Sequence, residues 1–192
     1  MLVEFMLYCG YMGMSLANLS VKGEYEGVKN LLSSSGEEFY ISRGSSDYVN
    51  IFPQTESFGS VSTLAQDFSK NLDTFTICGE VYDSDSVQVA FYSSGELIFT
   101  YEWYEQNQPV IKGDLKKLAT FAVKEFDLNK FRDKVNERSI FAEDRYEDFP
   151  VPFGFSYALR ETGYNYIESD STRVGGLTEY NKDEAKLTVE KI

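Results

Sequence analysis

Apolar positions recur along this chain with two periods, two in some segments and three to four in others, and so divide it into short strands and amphipathic helices. Leu2 to Tyr8 predicts a first strand, and Ser15 to Val21 a segment that extends or pairs with it across Gly10 and Gly13. Tyr25, Val28 and Leu32, at i, i+3 and i+7, predict a helix over Glu24 to Leu32, stopped by the run Ser33-Ser34-Ser35-Gly36. Glu38 to Arg43 and Tyr48 to Phe52 predict a hairpin turning through Gly44-Ser45-Ser46-Asp47. Val61, Leu64, Ala65, Phe68 and Leu72 form one apolar helical face, and Ser60 is placed to cap it. Three strands come next: Thr74 to Val81, Val87 to Tyr92 and Leu97 to Trp103, the last two joined through Ser93-Ser94-Gly95-Glu96.

In order these elements read β-α-β-β-α-β with an extra hairpin, the string of a ferredoxin-like α+β sandwich, over residues 1–110. Residues 111–152 predict a helical annex packed on that sheet. Asp114 caps a helix whose face carries Leu115, Leu118, Ala119, Ala122 and Phe126. Asp127 caps a second with Leu128, Phe131 and Val135, and Ser139 a third that stops at Pro150 and Pro152. Residues 153–192 are aromatic up to Tyr166, then of mixed charge with Gly175-Gly176 and little periodicity. The expectation there is a partly mobile end, dispensable for folding beyond about Asp170.

Charge changes the picture more than any motif. The 192 residues hold 31 acidic and 18 basic side chains, a net charge of −13, and no histidine. Ser-His-Asp and Cys-His catalysis and His-ligated metal sites are thereby excluded. A chain of that charge repels nucleic acid and anionic membrane and attracts cationic surfaces. Aromatic residues make up 16%, with 14 Tyr and 15 Phe, a load that suits both sheets and interfaces. Cys9 and Cys78 sit in apolar, strand-like surroundings and are expected as buried free thiols, the alternative being a disulfide between them if their strands are neighbours. Glu4 interrupts the N-terminal apolar run and no basic residue precedes it, so it reads as strand rather than signal peptide. No apolar run reaches the ~20 residues of a membrane span, and the cytoplasm is the expected location.

The string Glu80-Val81-Tyr82-Asp83-Ser84-Asp85-Ser86-Val87 resembles the first motif of haloacid-dehalogenase-type phosphatases. The resemblance implies Asp83 as nucleophile, Asp85 as general acid/base and Mg²⁺ held by carboxylates and phosphate. Downstream of this motif the chain departs from that family. Val87-Gln88-Val89-Ala90-Phe91-Tyr92 is β-branched and aromatic, and no second Asp succeeds Gly113-Asp114 at the family's spacing. The residues themselves read as a turn between strands, its aspartates bonding local amides. Over Val61 to Gly154, the succession of apolar strand, Asp-Ser-Asp, strand, Ser-Gly-Glu, strand and Tyr/Trp cluster also resembles a group of uncharacterised bacterial proteins. That group too has a helix pair next, with a segment like Phe141-Ala142-Glu143-Asp144 near the end. The resemblance implies a shared fold and bacterial origin, and no activity.

Two stretches are candidates for partner binding. In Tyr101-Glu102-Trp103-Tyr104, strand alternation puts Tyr101 and Trp103 on one face and Glu102 and Tyr104 on the other. Trp103 and Tyr104 are taken as contact residues. The densest acidic run is Glu143, Asp144, Glu147 and Asp148, interleaved by Tyr146 and Phe149, an aromatic-acidic patch suited to a basic partner. The function expected is non-enzymatic: an acidic, bacterial, immunity- or antitoxin-like protein that docks a basic toxin or nuclease and needs no cofactor. The alternatives are a Mg²⁺-dependent phosphoryl hydrolase using Asp83 and Asp85, and a nucleic-acid mimic whose carboxylates imitate phosphates.

Overall fold

The computed structural model describes residues 15–43, 47–54, 59–83, 85–104, 107–122, 126–136, 149, 151–153, 164–174, 177–182 and 185–192. The chain is a mixed α+β protein built on one antiparallel sheet. Its strands are β1 (Leu16–Lys22), β2 (Phe39–Arg43), β3 (Tyr48–Pro53), β4 (Phe75–Tyr82), β5 (Ser86–Ser93), β6 (Glu96–Tyr104), β7 (Val110–Gly113), β8 (Ser171–Val174), β9 (Leu177–Lys182) and β10 (Ala185–Lys191). They lie in the order β7-β6-β5-β4-β1-β3-β2-β10-β9-β8, every neighbour antiparallel. Helix α1 (Tyr25–Ser33) links β1 to β2, and α2 (Ser60–Asn71) links β3 to β4. Helices α3 (Leu115–Ala119), α4 (Leu128–Val135) and α5 (Tyr164–Asp170) lie between β7 and β8 in sequence. The strand predicted over Leu2 to Tyr8, with Cys9, and the helix predicted from Ser139 lie outside the described residues.

Helices cover both faces of the sheet, and strand alternation assigns each side chain to one of them. On the first face Leu19, Val21, Ile41, Val49, Ile51, Cys78 and Ala90 pack with Val28 and Leu32 of α1 and Val61, Ala65 and Phe68 of α2. On the second, Phe75, Ile77, Val87, Val89, Phe91, Phe99, Tyr101 and Trp103 pack with Leu118, Phe131, Val135, Phe149 and Phe153. This second layer is ring on ring: Tyr101 and Phe149 centroids lie 4.7 Å apart, and those of Phe91 and Phe153 4.9 Å. Polar groups buried on this face bond one another. Ser20 Oγ donates to Asn50 Oδ1 at 2.7 Å and Asn50 Nδ2 to Ser42 Oγ at 3.3 Å, a short row in which each buried group finds a partner.

The predicted caps hold for α3 and α4. Asp114 accepts from the amides of Lys116 and Lys117, and Asp127 from those of Asn129 and Lys130. Between them α3 is short, and Phe121, Ala122 and Phe126 pack beneath the second face without continuing it. Gly113 joins β7 to α3 at φ +105, and a Cβ there would meet the Ile98 carbonyl and lie 2.7 Å from Phe99 Cα. Only glycine fits that approach. Ser60 does not cap α2. Gly59 holds the N-cap position in the left-handed region, and the cap comes from the sheet beneath, from Glu80.

The C-terminal segment differs most from expectation. Residues 171–191 supply three strands, and β10 pairs with β2 through Val189–Ser42, Glu190–Ile41 and Lys191–Tyr40. Alternation then sends Glu190 to the first face, where it accepts from Tyr25 and pairs with Lys29 Nζ at 2.6 Å. Lys191 goes to the second, where it lies 3.1 Å from Glu38 and 3.5 Å from Glu168 of α5. Tyr40 also donates to Glu168.

Candidate functional site

Cross-strand register assembles a platform at one end of β4–β7 on the first face. Tyr82 pairs with Ser86, and Ser86 with Tyr104, so all three side chains point the same way. The next row inward is Glu80, Gln88, Glu102 and Val110; the third is Cys78, Ala90, Thr100 and Lys112. Helix α2 covers the β4 side of these rows but not the outermost one. Tyr82 is 56% and Tyr104 43% exposed, whereas Ser86 between them is buried. Gln88 and Glu102 are half-buried.

The turn that carries the Asp-Ser-Asp string forms the rim. Asp83 has φ +51, its amide donates to Ser15 Oγ at 2.9 Å, and the Asp85 amide donates to the Tyr82 carbonyl at 3.0 Å. Both aspartates are exposed. Among the described residues no three Cys, Asp or Glu side chains gather as a metal site would require. The register places this turn and Tyr104, which are distant in sequence, along one edge of the platform.

Glu80 is 3% exposed and sits where the platform passes under α2. Its carboxylate accepts from the Gly59 and Val61 amides, two donors at the positive end of the helix. Burial lifts its carboxyl above the ordinary range, and the two amide bonds oppose that rise. Beside it Ser62 and Tyr92 hydroxyls bond at 2.6 Å. Cys78 is a buried free thiol, pushed up by desolvation and by the Glu80 charge, and therefore a packing group rather than a nucleophile.

The other predicted contact residues separate. Alternation along β6 is as expected, but the face of Trp103 is the covered one: Trp103 and Tyr101 are core side chains. Phe149 is likewise buried against Phe99, Tyr101 and Phe131 and is no part of a surface patch. Both corrections have one cause: the annex layer needs large apolar partners from the sheet. Glu143, Asp144, Tyr146, Glu147 and Asp148 lie outside the described residues. Tyr82, Ser86 and Gln88 escape sequence reasoning, although a tight turn between two alternating strands is the signal that pairs Tyr82 with Ser86.

At the opposite end of the sheet a cleft of about 690 Å³ is lined by Lys22, Tyr25, Arg43, Asp47, Tyr48 and Thr74. Its charges answer one another: Arg43 lies 4.2 Å over the Tyr25 ring and 4.0 Å from Glu26. Among the described residues no helix is long and apolar enough to cross a membrane. Comparison with family models, curated proteins and solved structures finds no match.

Proposed function

We propose that the chain is a non-enzymatic binding protein of immunity or antitoxin type, working in a bacterial cytoplasm, that docks a basic protein through the platform of Tyr82, Ser86 and Tyr104. The observation that carries this reading is the row itself. Two large rings stand half-exposed on a rigid sheet, with Asp83, Asp85 and Glu102 around them. Exposed aromatics on a fixed scaffold supply contact area at low entropic cost, and the surrounding carboxylates select a cationic surface. The net charge of −13 adds long-range steering of the same sign. Within the sheet, the order β4-β1-β3-β2 with α1 and α2 on one face supports a ferredoxin-like inner unit, widened by β5–β7 on one side and β8–β10 on the other. Tyr82 belongs to that inner unit, and Ser86 and Tyr104 to the strands that widen it.

The test is binding kinetics with the partner captured from the source cell. Rim charges set association and buried anchors set residence. Raising salt from low to physiological strength is expected to slow association about three- to ten-fold. Asp85→Lys with Glu102→Lys should slow it further at low salt, and Tyr104→Ala should instead speed dissociation. An acidic partner, or an on-rate indifferent to both salt and charge reversal, contradicts the proposal.

A further inference from the structure

We infer that β7 is a self-association edge: two copies of this chain pair antiparallel through it, Ile111 against Ile111, and join their sheets. Among the described residues β7 has a strand on one side only, and all four of its residues are exposed. Val110 and Ile111, 43% and 38% exposed, are two of the five large apolar side chains left open among the described residues, so a four-residue strand carries a large share of that surface. One hydrogen bond fixes which way the β7 backbone turns. The Asp114 amide donates to the Ile98 carbonyl at 3.0 Å, which makes Ile98 and Asp114 a bonded pair at the end of the β6–β7 ladder. Bonded pairs recur at every second residue, and the register runs on without a shift, so Thr100 with Lys112 and Glu102 with Val110 are the next two. Ile111, between them, turns both its N–H and its carbonyl outward to the open edge.

That phase makes the edge complementary to itself. A two-fold axis through Ile111, normal to the sheet, sets this residue opposite its own copy, where the two exchange both backbone bonds. Val110 of one copy then faces Lys112 of the other, and the side chains of such a pair share a face. Val110 lies in the row of Glu102, and Lys112 in that of Thr100. The joined row therefore reads Thr100, Lys112, then Val110 and Glu102 of the second copy, and symmetry repeats it. Opposite charges thus share a row with one valine between them, and neither Lys112 nor Glu102 has an ion pair among the described residues. On the other face Ile111 comes beside its copy, which takes apolar surface out of water. A lysine on an edge strand ordinarily deters pairing. In this register the two lysines fall in different rows, each in line with a glutamate. An unrelated extended segment would gain the backbone bonds but not this order of charge, which selects a second copy.

The charge of −13 on each copy opposes association, and four residues bury little area, so the dimer is a weak one. Sedimentation of the full chain from about 1 µM to 1 mM is expected to show monomer passing into dimer. Ile111→Pro removes the outward N–H without touching a bond to β6. It should weaken the dimer about five- to 150-fold, two hydrogen bonds being lost together. Lys112→Glu should weaken it about two- to thirty-fold. Adding Glu102→Lys to that variant puts opposite signs back in the row and should recover the affinity, which separates the interface from damage to the fold. In the natural chain the Ile111 amide should exchange more slowly as concentration rises, while the Val110 and Lys112 amides, already bonded to β6, change less. A chain that stays monomeric at the highest concentration, a dimer indifferent to both Ile111→Pro and Lys112→Glu, or Ile111 exchange independent of concentration overturns the pairing. Docking of a basic protein is judged separately, by the partner kinetics, and stands or falls without it.

Discussion

A chain ending at Ser169 is expected to unfold about 6–20 °C below the full chain. The reasons lie in what β10 does to the edge of β2. Val189 is fully buried in the second core, and burying a side chain of that size stabilises by about 2 kcal/mol. The Phe39 and Ile192 backbones exchange hydrogen bonds at 3.1 and 2.9 Å, and the strand pairing leaves no open edge at β2. Losing the strand costs about 3–5 kcal/mol together, and at about 2–4 °C per kcal/mol for a chain of this size the shift is readily measured by thermal unfolding. The exposed edge should also pair between molecules, so the shortened chain is expected to self-associate. An unchanged transition would mean that the three C-terminal strands are ornamental.

Removing the Glu80 side chain is expected to be nearly as damaging. Glu80→Ala leaves the Gly59 and Val61 amides without their acceptor at a covered helix end. Loss of a cap costs about 1 kcal/mol, and buried donors left unmatched raise this to about 2–4 kcal/mol. Glu80→Gln retains one acceptor and the volume and should cost less. The two differ in pH dependence as well. A carboxyl lifted above the ordinary glutamate value by burial binds a proton in the native state that the unfolded chain has released. Its contribution is therefore complete below about pH 4 and is lost as the pH rises through the folded-state value. The Gln variant does not titrate there. The stability margin of the natural chain over Glu80→Gln should shrink from about pH 4 upward, and chemical denaturation across that range checks the sign.

The elements that appear in the sequence are those whose signal is local. Asp114 and Asp127 cap amides two and three residues on, and the face Val61-Ala65-Phe68 repeats over adjacent turns. The hairpin around Asp83 and Asp85 is likewise a short-range event. What is not legible depends on partners far along the chain. Glu80 reads as one polar residue in a strand until the start of α2, 19 to 21 residues away in sequence, is laid over it. In Leu177–Lys182 and Ala185–Lys191 polar residues interrupt the apolar pattern, because these strands lie toward the sheet's margin, and nothing local says that β2 is waiting for them. Alternation divides Trp103 from Tyr104 but does not say which face is covered. A sheet with helices on both sides makes that choice by total apolar area, and the annex takes the face with the larger rings. Tyr104 and the Asp83–Asp85 turn stand in the sequence as two unrelated strings whose meeting depends on register.

Amide hydrogen exchange of the full chain, alone and bound to its captured partner, tests the central claim most directly. Docking through the platform should slow exchange at described residues from Tyr82 to Gln88 and from Thr100 to Tyr104, together with β7, while α1 and β10 at the far side of the sheet keep their free rates. Protection confined to α1, β10 or the cleft at Arg43, with Tyr82 and Tyr104 unaffected, would contradict it.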